Sequence, residues 1–444
     1  MKIKQLIAFL GGITLLFSCS GEDLENTGSG DRTNEQPEMV FPMDFNWETS
    51  KNVALTLESK VATTVSIYSG SDCKAEDILI ENLFLNKPVH VKFNVPAGNK
   101  EVYVQYKNAA GEKKTLVYLL NRKKSAADDN GSDVILPENN VWPTSESDAG
   151  FTFYHNTGVV MFEDNWPKKG DYDFNDVVVE YDLKVTECND ASLYASQGYK
   201  ENLTITMDIR AIGGGGPRAI GLVLEGLNKK YVDLANSGMI VQKKYGQGRE
   251  EEVEQASDYK AEADAQSDNI ILTFNGLARV ADYNHSGKFY QVTPGYIETG
   301  TTNPDHYMIR AKFTLMPDLS TDRTERLEAF RNFILDTKKQ NFFIGVYNNT
   351  KPDNTEIHLS GYNPTYKFTD RYSEEAIEME DGIPYRGKDG TIWGLKVPVG
   401  TNHVYEKESF FAGYPKFKSW MESRGQTDED WYLFPEDKYI VKYW

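Results

Sequence analysis

Alternating apolar and polar positions set the pattern of the chain beyond its first forty residues. The period of two appears at residues 53–57, 62–68, 89–95, 101–106 and 115–120, and side chains two apart share one face of a strand. Turn-forming clusters separate these runs, among them Ser69-Gly70-Ser71-Asp72, Pro96-Ala97-Gly98-Asn99 and Asn108-Ala109-Ala110-Gly111. Short strands at such intervals predict a small immunoglobulin-like β-sandwich over residues 39–120. Nothing in it reads as a reacting centre, so it serves as a spacer. Residues 121–150 are rich in Lys, Asp, Asn, Ser and Gly and predict a linker.

Alternation then resumes at residues 151–154 and 158–162, followed by strand-like runs at 203–212, 219–224, 239–241, 269–274, 307–315, 342–347 and 356–359. A helical period appears at 321–338, where Leu327, Phe330, Phe333 and Ile334 share a face and Ser320 or Thr321 would cap it. A second helix is expected over 408–422. The fold class is therefore mainly β: the small sandwich, then a larger β-sandwich over 151–444 carrying one or two peripheral helices. A hydrophobic content of 39% with 12% aromatics supplies ordinary cores.

The first residues differ. Lys2 and Lys4 precede an apolar run from Leu6 to Phe17 that is short for a bilayer span. Ser18 and Cys19 follow, so residues 1–18 read as a lipoprotein signal with Cys19 the lipidated residue. Residues 19–38 read as a flexible tether. Glu22, Asp23 and Glu25 behind Cys19 are similar to tags that direct some lipoproteins outward across the outer membrane, and equally suit a solvated linker. The partner implied is a membrane reached through the lipid on Cys19, on the cell surface or the periplasmic face. A net charge of −19 repels phosphate backbones and excludes nucleic acid.

Chemistry concentrates in one stretch. Glu163, Asp164, Asp171, Asp173 and Asp176 stand against Lys168 and Lys169, followed by Val177-Val178-Val179. Most of these charges lie within one Debye length, roughly 8 Å. The β-branched run predicts a strand that holds the cluster against a sheet. Asp171, Asp173 and Asn175 are two apart, so their oxygens can converge while Tyr172 and Phe174 point away. Oxygen donors without Cys or His suit Ca²⁺ and argue against Zn²⁺ or Cu²⁺. The spacing opens like an EF-hand loop, but Asp176 stands where its glycine belongs and Asp182 replaces its last glutamate. The candidate ligands are Glu163, Asp164, Asp171, Asp173, Asn175 and Asp176. A solvated acidic turn is the alternative.

The stretch FEDNWPKKGDYDFNDVVVEYDL resembles the signature of the LruC domain-containing lipoproteins, exported bacterial proteins. Weaker echoes follow in the same order at residues 221–226, 356–361 with Pro364 and Thr365, 393–398, and 414–420 with 430–432. The resemblance covers residues 151–444. It implies a mostly β domain of undetermined role whose D-x-D-x-N-D loop is similar to calcium-binding modules, and it implies no activity.

Other features carry less. Gly213 to Gly216 lacks the spacing of a phosphate-binding loop and reads as a flexible turn. Residues 249–268 read as a solvated acidic excursion. His90, His155, His285, His306, His358 and His403 show no paired ligand spacing, His358 being the one inside a motif. Cys73 and Cys188 read as unpaired thiols. Trp393, Tyr405, Phe410, Phe411, Tyr414, Phe417, Trp420, Trp431, Tyr432, Phe434, Tyr439, Tyr443 and Trp444 read either as stacking platforms for sugars or as packing. The function expected is a surface lipoprotein with a structural Ca²⁺, acting in binding, adhesion or surface architecture toward a glycan or protein ligand. The alternatives are a glycan hydrolase using a carboxylate pair and a subunit of a surface fibre.

Overall fold

β-branched and aromatic runs become strands wherever one face can be buried. β1 (Ser50–Glu58), β2 (Thr63–Tyr68), β3 (Ile78–Leu85), β4 (Val89–Pro96), β5 (Glu101–Lys107) and β6 (Lys113–Leu119) come first, and β7 (Val134–Ile135) follows. The computed structural model describes residues 41–120, 132–137, 149–190, 201–245, 250–255, 261–277, 292, 307–348, 351–368 and 382–442. The signal segment, Cys19, the tether, most of the linker, His285, His306, Tyr443 and Trp444 lie outside the described residues, and so does part of the acidic excursion.

β4, β1 and β7 form a three-stranded sheet. Its apolar face meets that of β6, β5, β2 and β3 across a core that includes Leu55, Leu57, Ile67, Ile80, Phe93 and Val104. Two of these elements were not legible in the alternation. β3 carries Asn82 in the left-handed region at φ 57°, and its pairing with β2 shifts register there. The Asn82 amide donates to the carbonyls of Ala149 and Phe151, which holds the irregular point in place. β7 lies inside the stretch read as linker, and pairs in parallel with Leu57 and Glu58 of β1.

β8 (Phe151–Phe162) and β9 (Val177–Cys188) run antiparallel in unbroken register, from Phe151 opposite Cys188 to Phe162 opposite Val177. The strands that follow are β10 (Asn202–Ala211), β11 (Pro217–Asn228), β12 (Val232–Tyr245), β13 (Glu250–Gln255), β14 (Glu262–Ala263), β15 (Asn269–Phe274) and β16 (Tyr307–Pro317). Helix α1 (Arg323–Leu335), β17 (Gln340–Asn348), β18 (Lys351–His358), β19 (Gly394–Val397), α2 (Phe410–Gly413) and α3 (Pro415–Glu422) complete the set. An 11-stranded sheet has the order β13-β12-β16-β10-β9-β8-β3-β2-β5-β6, with β19 also on β8. A five-stranded sheet has the order β14-β15-β11-β17-β18.

The mainly β class follows directly. Val179, Leu183, Ile205 and Phe313 of the large sheet share one core with Ile220, Leu222, Leu272 and Ile344 of the five-stranded sheet, and with Phe330, Phe333 and Ile334 of α1. Full burial of each such side chain contributes about 1.5–3 kcal/mol. The first sandwich joins the second through Ile80 opposite Tyr154 and Glu81 opposite Phe153, and Val40–Trp444 is one compact unit.

The helices differ from expectation in detail. Asp322, not Ser320 or Thr321, caps α1 by accepting from the Glu325 amide at 3.1 Å, since a carboxylate suits the electropositive N-terminus. The single helix expected over 408–422 is broken into α2 and α3. Pro415 cannot continue a hydrogen-bond ladder, and Tyr414 before it leaves helical geometry at φ −131° and ψ 80°.

Candidate metal centre

The acidic stretch is the connection from β8 to β9. Phe162 and Val177 are paired at the strand ends, so Glu163 and Asp176 start from adjacent positions. The Glu163 amide extends the ladder by donating to the Trp393 carbonyl at 2.9 Å. The Asp164 amide closes the loop neck by donating to Asp176 Oδ2 at 2.7 Å. Tyr172 and Phe174 sit in the left-handed region, at φ 60° and 51°. Non-glycine residues there cost about 1–3 kcal/mol each and persist where surroundings hold them. Here the hold is aromatic. The Tyr172 ring lies 5.6 Å from Phe41, and Phe174 meets Phe410 edge to face at 5.9 Å.

With those rings turned outward, the oxygens turn in. Glu163, Asp173 and Asn175 are buried, Asp164 and Asp176 half-buried and Asp171 exposed. Glu163, Asp171 and Asp173 each offer one oxygen, all within 4.8 Å of one another. Oxygens on opposite sides of one Ca²⁺ lie about 4.6–5.2 Å apart, so three at this spacing can share an ion.

Several hydrogen bonds fix the set. Glu163 Oε1 accepts from the Phe174 amide at 2.7 Å. Asp173 Oδ1 accepts from the Asn175 amide at 3.2 Å, and its Oδ2 from the Lys407 amide at 3.1 Å. Asn175 Nδ2 donates to the Val404 carbonyl at 3.3 Å, and its Oδ1 faces Gly213. Two buried acceptors then have no hydrogen-bond donor: Glu163 Oε2 and Asn175 Oδ1. Buried polar atoms are almost always partnered, and the loop holds a third without a partner, the donor Trp166 Nε1. Asp164 and Asp176 stand to one side, with Asp164 Oδ2 accepting from the Gly216 amide at 3.0 Å.

Electrostatics points the same way. Burial, with the Asp173 and Asp171 charges behind it, pushes the Glu163 carboxyl well above the usual range. Asp176 is raised by burial and by Asp164 and Glu163, and Asp164 mainly by burial. Asp173 is pushed to about 8 by burial and the charges of Asp171 and Glu406. The loop lysines do not relieve this crowding, since Lys169 pairs with Asp389 and Lys168 is exposed.

A pH dependence follows. The folded cluster without a cation holds protons that the unfolded chain releases, because the Asp173 value of about 8 lies above the ordinary 3.8. Its contribution to stability is intact below the unfolded value and is lost as pH rises through the folded one. In EDTA the melting temperature is expected to fall between about pH 5 and about pH 8, and added calcium to offset the fall. A flat profile in EDTA would speak against a buried acidic cluster.

Residues distant in sequence complete the site. The Gly213–Gly216 run packs directly on the loop. A Cβ on Gly213 would stand 2.2 Å from Asn175 Oδ1, and one on Gly214 would stand 2.3 Å from Asp164 Oδ2. The Gly213 amide donates to the carbonyls of Asn175 and Asp176. Glu406 is a further carboxyl of the site, raised to about 7 by burial and then by the Asp171 charge. The glycine run was visible as a motif, and its close approach was not. Glu406 had no local signal at all.

Residues 201–432, just over half of the 444, match the domain of unknown function DUF4842. The chain belongs to the DUF4842 family. The DUF4842 region supplies Gly213–Gly216, Val404, Glu406 and Lys407, whereas the acidic loop precedes it. A crystal structure from Bacteroides ovatus, of a protein whose name marks it as a candidate lipoprotein, is similar at 33% identity and a TM-score of 0.71. The likeness covers 86% of this chain and 100% of that one. No curated protein matches the chain.

Features outside the loop resolve toward packing. His358 is buried between Phe343 and Tyr385 and bonds Asn341 and Glu356. Phe410, Tyr414, Phe417, Trp420 and Trp431 are buried in one aromatic cluster, which Phe45 and Trp47 join from the start of the chain's described part. Cys73 and Cys188 are free thiols.

Proposed function

We propose that the chain is a lipid-anchored surface protein whose acidic loop holds one structural Ca²⁺, and whose β body serves binding, adhesion or surface architecture. The observation that carries the calcium reading is the convergence of oxygens from Glu163, Asp171 and Asp173, with Glu163 Oε2 buried and without a donor. The ion would neutralise a cluster that otherwise repels itself and so link folding of the loop to metal. Extracellular calcium modules work with dissociation constants on the order of 10⁻⁴ to 10⁻³ M. The LruC resemblance of the same stretch supports the assignment.

The anchor rests on the Lys2, Lys4 and Cys19 signal and on the lipoprotein name of the similar Bacteroides ovatus structure. Among the described residues no helix is long and apolar enough to cross a membrane. The acids behind Cys19 support an outer-membrane site, at the cell surface or the periplasmic face. Cys19→Ser is expected to abolish incorporation of a labelled fatty acid and to release the protein into the soluble fraction. Retained label would overturn the anchor.

A fibre subunit has one observation behind it. β6 pairs only with β5 among the described strands, and Val117 and Leu119 on it are each 56% exposed. An edge of this kind can add a strand from a partner. Val117→Lys is expected to leave the melting temperature unchanged and to reduce self-association in sedimentation. Unaltered association would remove this reading. The hydrolase reading gains no such support. In a charged cavity of about 300 Å³ the carboxylates Glu180, Asp182 and Asp208 pair with Arg210, His155 and Arg310.

A further inference from the structure

The acidic loop is also the seat of a segment near the end of the chain. The Phe410 amide donates to the Tyr172 carbonyl at 3.0 Å, the Lys407 amide to Asp173 Oδ2 at 3.1 Å, and Asn175 Nδ2 to the Val404 carbonyl at 3.3 Å. The Phe174 ring meets Phe410 edge to face at 5.9 Å. Residues 404–410 thus lie along the loop from Tyr172 to Asn175. Phe41 bridges the two sides, its ring 5.6 Å from Tyr172 and 6.4 Å from Phe411.

The backbone on both sides of this contact is held under strain. Lys407 sits in the left-handed region at φ 68°, as Tyr172 and Phe174 do across from it, and such residues keep that conformation only while their surroundings impose it. Residues 398–409 belong to no helix or strand. A bridge from Val404 to Ile440 and bonds to Tyr439 and from Val441 tie them to the last residues. Irregular segments of this kind open locally at lower cost than core strands do.

A cation in the loop would bear on each of these contacts. Asp173 belongs to the converging set with Glu163 and Asp171, and the same carboxylate accepts the Lys407 amide. Tyr172 lies between Asp171 and Asp173, so its carbonyl moves with them. Without a cation the acidic side chains repel one another, and any spreading of the loop carries away the groups that hold residues 404–410. With a cation the oxygens are drawn to one point, and the loop presents Asp173 and the Tyr172 carbonyl in a fixed geometry. The coupling is reciprocal: whatever docks the segment also favours the ion.

Resting on the calcium reading, we infer that the ion works a clasp: calcium in the loop docks residues 404–410, and its removal lets that segment open while the β body stays folded. Hydrogen exchange of the whole protein in EDTA and in calcium, read by mass spectrometry beside calorimetric titration of the same sample, tests it. In EDTA the 402–414 peptide is expected to exchange well ahead of β10, an interior strand of the large sheet. Calcium at about a hundredfold excess over Kd should slow that peptide by up to about a hundredfold, the factor by which it suppresses an opening that expels the ion. Phe410→Leu, which leaves every proposed ligand oxygen in place, is expected to weaken calcium binding several-fold by reciprocity. Calcium binding without a change at 402–414, exchange of 402–414 in step with β10 in both buffers, or unchanged affinity in folded Phe410→Leu would overturn the clasp and leave the metal centre standing. Absence of calcium binding would overturn both. Should Phe410→Leu fail to fold, the wild-type exchange decides.

Discussion

Asp173→Ala is expected to remove most of the thermal stabilisation that calcium confers on the intact protein. Asp173 sits at the centre of the loop: one oxygen holds the Asn175 amide, the other ties in Lys407, and it shares a 4.8 Å cluster with Glu163 and Asp171. A ligand that binds only the folded state stabilises by RT ln(1 + [L]/Kd), about 2.7 kcal/mol at a hundredfold excess over Kd. The wild type should therefore melt several degrees higher in about 10 mM calcium than in EDTA, given a Kd on the order of 10⁻⁴ M. The variant should show little difference between the two buffers. Its melting temperature in EDTA should change less than its calcium response, because loss of the bonds to the Asn175 and Lys407 amides opposes the loss of one repelling carboxyl. An undiminished calcium response in the variant would refute the assignment.

Gly170→Ala is expected to have an effect of similar size in calcium, through shape and not charge. The added Cβ would stand 1.7 Å from Glu163 Oε2, the oxygen that lacks a donor. Either the loop or the glutamate must move. Overpacking of this kind costs about 1–3 kcal/mol, and displacement of Glu163 should also weaken calcium binding. Melting curves of Gly170→Ala with and without calcium separate the two effects. A variant as stable and as calcium-responsive as the wild type would show that Glu163 does not occupy the position seen.

The loop itself was legible in the sequence because its information is local. The close spacing of Asp171, Asp173 and Asn175 and the valine run after them are contiguous in sequence, although the loop reaches its shape through left-handed residues and not strand geometry. The left-handed backbone of Tyr172 and Phe174 was not legible, because Phe41 and Phe410, distant in sequence, pack against those rings. The loop's surroundings were not legible, since Gly213–Gly216 and the 404–407 segment reach the loop only through the tertiary fold. A glycine run carries the same letters whether it is a free turn or the lid over a carboxylate cluster.

The same division holds for the fold. β8 was readable from alternation at residues 151–154 and 158–162, and the start of β9 from the β-branched run Val177-Val178-Val179. β3 was missed because Asn82 breaks its period, and β7 because two residues of strand within a polar stretch leave no pattern. The break at Pro415 could have been read, since proline at a first helical turn separates α2 from α3 by rule.

Calorimetric titration of calcium into EDTA-stripped, desalted protein, run in parallel on Glu163→Gln, addresses the central claim most directly. The expected result is one ion bound per wild-type chain, with proton release as the raised carboxyls ionise, and no binding at the loop in the variant. Absence of calcium binding by the wild type, or equal binding by Glu163→Gln, would contradict it.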